Sequence, residues 1–209
     1  MLIPFDQLVH VLSLNIKGIL HVGAHECEEL SDYLRYGLSM DKIYWVEAMK
    51  DKVDMMKQKF NNQLYIYQAV IDDKDGAETP FYITNNGQSS SILEFGSHAK
   101  HHPQVNVVSQ QKLTTTRLDT LIETNQIPIE NINFLNFDIQ GVELRALKSM
   151  EKYLKYIDYI YTEVNSEEVY KGCDLITDID SYLATFGFKR VAVRMAGECG
   201  WGDAFYMKS

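Results

Sequence analysis

Basic residues are scarce in this chain. Among its 209 residues, 20 Lys and Arg stand against 29 Asp and Glu, a net charge of −9. Phosphate binding is carried by Lys and Arg, and no run of them marks a groove here, so neither nucleic acid nor an anionic membrane is an expected partner. Cysteine is also sparse. Cys27, Cys173 and Cys199 lie far apart and form no CxxC, which points to a reduced compartment and a cytoplasmic location. No apolar window approaches the ~18 residues that cross a bilayer. The first ten residues lack the basic-then-apolar order of a signal peptide, so none is expected. There are only four prolines, with no Pro/Gly-rich linker and no internal repeat. Residues 1–209 are therefore read as a single domain. Hydrophobic residues make up 45% and charged residues 23%, an ordinary globular balance that excludes wholesale disorder.

What is present is an alternation of short apolar runs and helical stretches. Gly18 to Gly23 reads as a buried strand entering a turn, with a helix from Glu26 to Tyr36. Lys42–Glu47 is a second strand, Lys50–Phe60 a helix and Leu64–Val70 a third strand. This βαβαβ opening predicts a parallel sheet. Thr79–Thr84 extends the sheet or forms a hairpin, and Asn85–His102 is a long polar loop with room for a short helix. Asn133–Asp138 and Ile157–Val164 are core strands, followed by helices over Val142–Leu154 and Thr177–Phe186. Phe188–Met195 and Asp203–Met207 close the chain as an antiparallel edge pair.

Chemistry-bearing residues gather at the strand ends. Gly23, in His21-Val22-Gly23-Ala24-His25-Glu26-Cys27, lets the backbone turn sharply and a ligand approach it, and the helix beyond offers free N–H groups to an anion. Glu47 ends the second strand, where an acid can accept from both hydroxyls of a ribose. Ala69 and Val70 end the third and can pack on a purine. Asp138 ends a strongly apolar strand, and Glu163 ends the next. Two adjacent strand-end carboxylates suit proton abstraction or a divalent cation. Glu143 suits the first turn of its helix. His98, His101 and His102 have helical spacing and could face a substrate or hold zinc.

In this order the constellations resemble the FkbM-type family of S-adenosylmethionine-dependent O-methyltransferases, over about Gly18 to Met207. The family's Asp-Val-Gly-Ala-Asn-x-Gly is similar to His21 through Cys27. Its hallmark Leu-Lys-x-Asp-x-x-Gly-x-Glu is similar to Leu135 through Glu143, its Thr-x-Leu-Asp-x-Leu to Thr116 through Leu121. Its polar Ser-rich stretch stands as Ser89-Ser90-Ser91-Ile92-Leu93, its late Glu-Val pair as Glu163-Val164, and its terminal Gly-Asp-Ala as Gly202-Asp203-Ala204. His21, Cys27 and Asn136 depart from the pattern, and the Cβ of Cys27 is expected to keep the turn away from strongly positive φ.

The resemblance implies an α/β, Rossmann-like class I methyltransferase fold: a seven-stranded, mostly parallel sheet with an antiparallel edge pair and helices on both faces. It implies S-adenosylmethionine as cofactor, held by Gly23, Ala24, His25, Glu47, Ala48, Ala69, Val70 and Asp138. It implies Asp138, Glu163 and His25 as catalytic candidates, and leaves room for Mg or Mn between Asp138 and Glu163. The expected reaction is methylation of a hydroxyl on a sugar or glycan, or else on a polyketide-like small molecule. A non-catalytic S-adenosylmethionine-binding module is the alternative of another class. An NAD-linked dehydrogenase is disfavoured because Gly23 stands alone, with His25 at the second Gly position. A nucleic-acid amino-methylating enzyme is disfavoured by charge and by Asp138-Ile139-Gln140-Gly141, which lacks the Pro-Pro of that group.

Overall fold

The computed structural model describes all residues, 1–209. A short helix, α1 (Phe5–Leu12), precedes the first strand, β1 (Ile19–Val22). Then come α2 (Leu30–Arg35), β2 (Ile43–Glu47), α3 (Lys50–Lys59), β3 (Tyr65–Gln68), β4 (Val70–Ile71), β5 (Glu78–Thr84), α4 (His98–His101), β6 (Val107–Thr116) and α5 (Leu118–Thr124). The last part holds β7 (Phe134–Phe137), α6 (Glu143–Ser149), β8 (Tyr159–Asn165), α7 (Ile176–Ala184), β9 (Phe188–Met195) and β10 (Trp201–Lys208). Seven strands form the expected Rossmann-like sheet in the order β3-β2-β1-β7-β8-β10-β9. All neighbours are parallel except β10, which runs antiparallel to both β8 and β9.

The central strands are apolar at nearly every position because both sheet faces are covered. In β1, Ile19 packs with Trp45, Phe134 and Phe205 toward α1, α2 and α3. Leu20 and Val22 pack with Leu135, Phe137 and Ile160 toward α5, α6 and α7. The outer strand β9 instead exposes Lys189, Arg190 and Arg194. No helix is long and apolar enough to cross a membrane.

The strand order reverses between β1 and β7, and the crevice lies beyond their carboxyl ends. The first turn of this crevice departs from the sequence reading. The expected helix from Glu26 starts only at Leu30, because His25 (φ 43) and Cys27 (φ 54) take left-handed backbone. Cys27 thus does adopt positive φ. Its N–H bonds Ala24 O at 2.7 Å, which holds the turn. The helix that follows has only six residues and begins among Glu26, Glu28 and Glu29, so it does not offer the anion site expected of it.

The third strand is also shorter than its apolar run. β3 ends at Gln68, and Val70–Ile71 turn away to pair with β6 in a second sheet of order β4-β6-β5. β5 and β6 form an antiparallel hairpin in which Thr84 pairs with Val107. Residues 85–106 leave and re-enter through that single pair as a strap. The strap is packed in place rather than free: Ser91 bridges Tyr82, Phe95 bridges Tyr170, and Ser91 Oγ donates to Gln140 O at 2.8 Å. Beneath it, Phe81 and Ile92 join Met49, Val70 and Val142 in a small apolar cluster.

Candidate active site

The crevice is a cavity of about 520 Å³ between the strand ends and the strap. Gly23, Ala24, His25, Glu47, Ala48, Ala69, Val70, Asp138 and Glu163 all line it. The strand order brings these residues together from positions as far apart as 23 and 163.

Gly23 has a role other than admitting a ligand. At φ +95 it lies against the neighbouring strand end, where a Cβ would stand 1.8 Å from the Asp138 carbonyl oxygen. The close approach is between β1 and β7 themselves. Glu47 is buried at the end of β2. One of its carboxylate oxygens accepts the His25 N–H at 2.7 Å and the other the Met49 N–H at 2.8 Å. Each oxygen keeps a lone pair for a ligand hydroxyl. Burial raises the Glu47 pKa, partly offset by those two N–H groups.

Asp138 opens into the cavity and Glu163 is buried beside it. Gln140 joins them: its Nε2 donates to Asp138 Oδ1 and, at 2.8 Å, to Glu163 Oε2. Gln140 sits at φ 58, and its Oε1 accepts from the Tyr170 hydroxyl. Glu143 fixes this turn by accepting the Ile139 N–H at 3.0 Å and the Gly141 N–H at 3.1 Å. That goes further than favouring the first turn of α6. Asp203 pairs with Glu163 across β10 and β8 and accepts from the Tyr161 hydroxyl. Enclosure and the Asp203 charge push the Asp138 pKa up. Burial and the Asp138 charge push Glu163 well above the carboxylate range. Each carboxyl thus opposes ionisation of the other, and Asp138 is the member more exposed to the cavity.

A divalent cation does not fit this donor set. No group of three or more His, Cys, Asp or Glu side chains could hold a metal ion. Gln140 Nε2 occupies the position between Asp138 and Glu163 where a cation was expected. Zinc at the His trio is excluded in the same way. His98 and His102 face the cavity, while His101 turns out to pair with Glu167 at 3.0 Å.

His25 forms a dyad with Glu28, its Nδ1 2.7 Å from Glu28 Oε1. Burial lowers the His25 pKa, but the Glu28 hydrogen bond and charge outweigh it and the net shift is upward. Its Nε2 is buried without a partner beneath Gly87 of the strap, where a Cβ would come within 2.9 Å. Two of the unusual residues form one buried group. Asn136 Nδ2 donates to the Tyr33 hydroxyl at 2.8 Å, and that oxygen lies 3.1 Å from His21 Nδ1. His21 also stacks on Trp45 with centroids 4.7 Å apart. Burial lowers the His21 pKa, and it pushes the Cys27 thiol up to about 12, so Cys27 is not a nucleophile at neutral pH.

Gln140, Tyr170, Asp203 and Trp201 line the cavity but were not marked as site residues from the sequence. Asp203 carried a signal in Gly202-Asp203-Ala204. Trp201 carried one too, as one of the late aromatics able to stack on an apolar sugar face, whereas Gln140 and Tyr170 show none locally, since they meet only through the fold.

The buried acids have a thermodynamic consequence. Burial raises the folded-state pKa of Glu47, Glu143, Glu163 and Asp203. Such groups contribute stability that is fully present below their unfolded pKa and is lost as pH rises through the folded value. His21 and His98, whose pKa values burial lowers, oppose this below their unfolded pKa, but the acids outnumber them, so the melting temperature is expected to rise when pH is lowered from about 8 to about 6.5 at fixed ionic strength. A melting temperature that falls steadily over that interval in thermal unfolding would show that other groups govern the pH dependence of stability.

The methyltransferase FkbM domain model matches residues 21–190. Among solved structures, the chain is similar to the magnesium protoporphyrin IX methyltransferase ChlM from Synechocystis PCC 6803. With bound SAM, that structure shows 11% identity, coverage of 98% of this chain and 76% of the other, and a TM-score of 0.51. With bound SAH it shows 10% identity, coverage of 98% and 80%, and a TM-score of 0.52. At these identities the likeness is one of fold. No curated protein matches the sequence.

Proposed function

The chain belongs to the methyltransferase FkbM domain family, and from that premise we propose that it is an S-adenosylmethionine-dependent O-methyltransferase acting on a hydroxyl of a sugar or glycan. The reading takes residues 1–209 as one methyltransferase domain. The observation that carries it is the charge of the cavity lining. Glu28, Glu29, Glu47, Asp138, Glu163 and Asp203 line the cavity, and no Lys or Arg does. Such a lining suits a cofactor bearing a sulfonium and an ammonium. The Met1 ammonium also lines the cavity but lies 3.7 Å from Glu29, so six acids against that one paired ammonium make a poor site for the pyrophosphate of a dinucleotide, which disfavours the dehydrogenase alternative.

When bound, S-adenosylmethionine supplies an electrophilic methyl group. The residues supply the rest. Glu47 would hold the ribose hydroxyls with its free lone pairs, and Ala48, Ala69 and Val70 would supply an apolar wall for the purine. Gly23 and Ala24 would line the same cofactor site, and His25 orients Glu47 through its N–H. Asp138 accepts the proton of the acceptor hydroxyl, and its raised pKa makes it a stronger base than an ordinary aspartate. Glu163, its pKa raised by burial and by the Asp138 charge, stands beside the base, and Gln140 fixes both side chains.

Glu47→Ala is expected to weaken S-adenosylmethionine binding about tenfold to hundredfold, since hydrogen bonds to a charged group are worth ~1.5–3 kcal/mol. Calorimetry on the folded variant tests this, and unchanged affinity would remove Glu47 from the cofactor site. The function itself is tested with methyl-labelled S-adenosylmethionine and a panel of sugar glycosides. Label appearing as an acid-stable ether on sugar supports it. Label appearing only on amines, or on none of the acceptors while the cofactor binds, refutes it.

A further inference from the structure

On the reading just given, we propose that His98, His102 and Trp201 form the acceptor subsite, and that it takes a hydroxylated sugar ring bearing no phosphate. All three residues line the cavity that holds Asp138. His98 is 95% buried, being 5% exposed, yet its Nδ1 has no hydrogen-bond partner. A buried polar atom left unpaired is costly, which sets His98 apart from an ordinary core residue at the edge of this cavity. The ring cannot turn away to find another partner. It stacks on Phe95 with centroids 4.1 Å apart and planes 18° apart. Burial and the neighbouring histidines lower its pKa to about 4, so it is neutral at physiological pH and offers one donor and one acceptor.

His102 is fixed in a complementary way. Its Nε2 accepts the Trp201 indole N–H at 3.2 Å, which leaves Nδ1–H as the donor of the neutral ring. The His98 and His102 centroids are 5.0 Å apart, and His102 and Trp201 are 6.4 Å apart. Aromatic faces flanked by polar nitrogens match a sugar, which has C–H faces and a rim of hydroxyls. This wall is tied to the base. Tyr170 lies 5.5 Å from His98, and its hydroxyl donates to Gln140, which holds Asp138.

The exclusion of phosphate follows from what faces the same space. A phosphoryl group carries about 1.5–2 negative charges at neutral pH. It would enter beside Asp138, Glu163 and Asp203 with no Lys or Arg among the lining residues, and the Met1 ammonium that also lines the cavity already lies 3.7 Å from Glu29. Like charges placed together cost affinity, so the lining selects against a phosphorylated sugar. In a reaction sequence the methyl group is then added after glycosyl transfer, to a finished glycoside, and not to a nucleotide-activated sugar.

The experiment compares methyl glycosides with the glycosyl phosphates and nucleotide diphosphate conjugates of the same sugars, for the wild type, Trp201→Ala and Trp201→Phe. Calorimetry with S-adenosylmethionine is run on each protein. The glycoside is expected to have a kcat/KM at least about tenfold above its phosphorylated forms. Trp201→Ala is expected to raise the glycoside KM about tenfold, with Trp201→Phe between it and the wild type and cofactor affinity unchanged. Phosphorylated sugars used as well as glycosides would overturn this inference while leaving sugar methylation standing. A Trp201→Ala protein that binds glycoside normally would overturn the subsite. Absence of transfer to every sugar by a cofactor-binding wild type would overturn the proposed function and this inference together.

Discussion

Asp138→Asn is expected to lower methyl transfer by about 10²–10⁴, the usual contribution of a general base. A sugar hydroxyl is a poor nucleophile while protonated, so its proton must leave as the new bond forms. Asp138 ends the central strand, opens into the cavity, and is held by Gln140 Nε2. Asn keeps the shape and accepts from the same Gln140 donor, but it cannot take the proton. Cofactor affinity should stay within about threefold, because the ribose contacts are assigned to Glu47. The wild-type rate should fall as pH drops through the raised Asp138 pKa, at a higher pH than an ordinary aspartate would give. EDTA should leave the wild-type rate unchanged, since the donors around Asp138 do not suit a cation. Near-wild-type turnover in Asp138→Asn would reject the assignment. The His25–Glu28 dyad would then be the base to test. An EDTA effect reversed by Mg²⁺ would instead restore the cation role.

Gly23→Ala should produce the largest loss of stability of any single change at the site. The new Cβ would meet the Asp138 carbonyl oxygen at 1.8 Å and its carbon at 2.6 Å, and both are backbone atoms that cannot swing aside. The Val22–Gly23 peptide unit is held on two sides, by the Gly23 N–H to Val46 O at 2.9 Å and by the Asp138 N–H to Val22 O at 2.9 Å. Relief requires β1 and β7 to part at the mouth of the crevice. Left-handed backbone costs a residue with a Cβ about 1–2 kcal/mol and overpacking about 1–3 kcal/mol, so a total of about 3 kcal/mol or more is expected. Gly37→Ala serves as the control. It shares positive φ (+89), but nothing lies within 4 Å of its Cβ, so it should show only the conformational part. Urea unfolding of both variants measures the difference. Equal losses would mean that the strand contact at Gly23 yields without cost.

How far the sequence could be read depended on where each segment faces. β1, β2, β7 and β8 are apolar because they are covered on both sides, and their limits are legible to within a residue or two. β6 went unread because most of Val107–Thr116 faces solvent, so there is no alternation to see. α2 lost its first turn to left-handed residues that no apolar spacing reveals. At the site, Asp138, Glu47 and Glu163 stand out because an acid at the end of an apolar strand has little other use. Gln140 could not be distinguished from a turn residue. Its importance lies in reaching Asp138, Glu163 and Tyr170 at once, and only the fold places these together. The His98 and His102 spacing was visible, but whether they bind a metal or a substrate depends on the strap that carries them.

The pairing of Thr84 with Val107 gives the cavity two separable inheritances. The half proposed to hold the cofactor is built on sheet strands whose packing tolerates little change. Much of the half proposed for the acceptor, including His98 and His102, hangs on residues 85–106, which begin and end at one point of the hairpin. Lengthening such an excursion costs little, about 0.6 kcal/mol for each doubling of loop length. Natural variation can therefore rewrite acceptor preference by insertion, deletion or exchange of this one segment while the sheet beneath stays unchanged. Chimeras spliced at Thr84 and Val107 are the shortest route to transplanting a new specificity onto this scaffold.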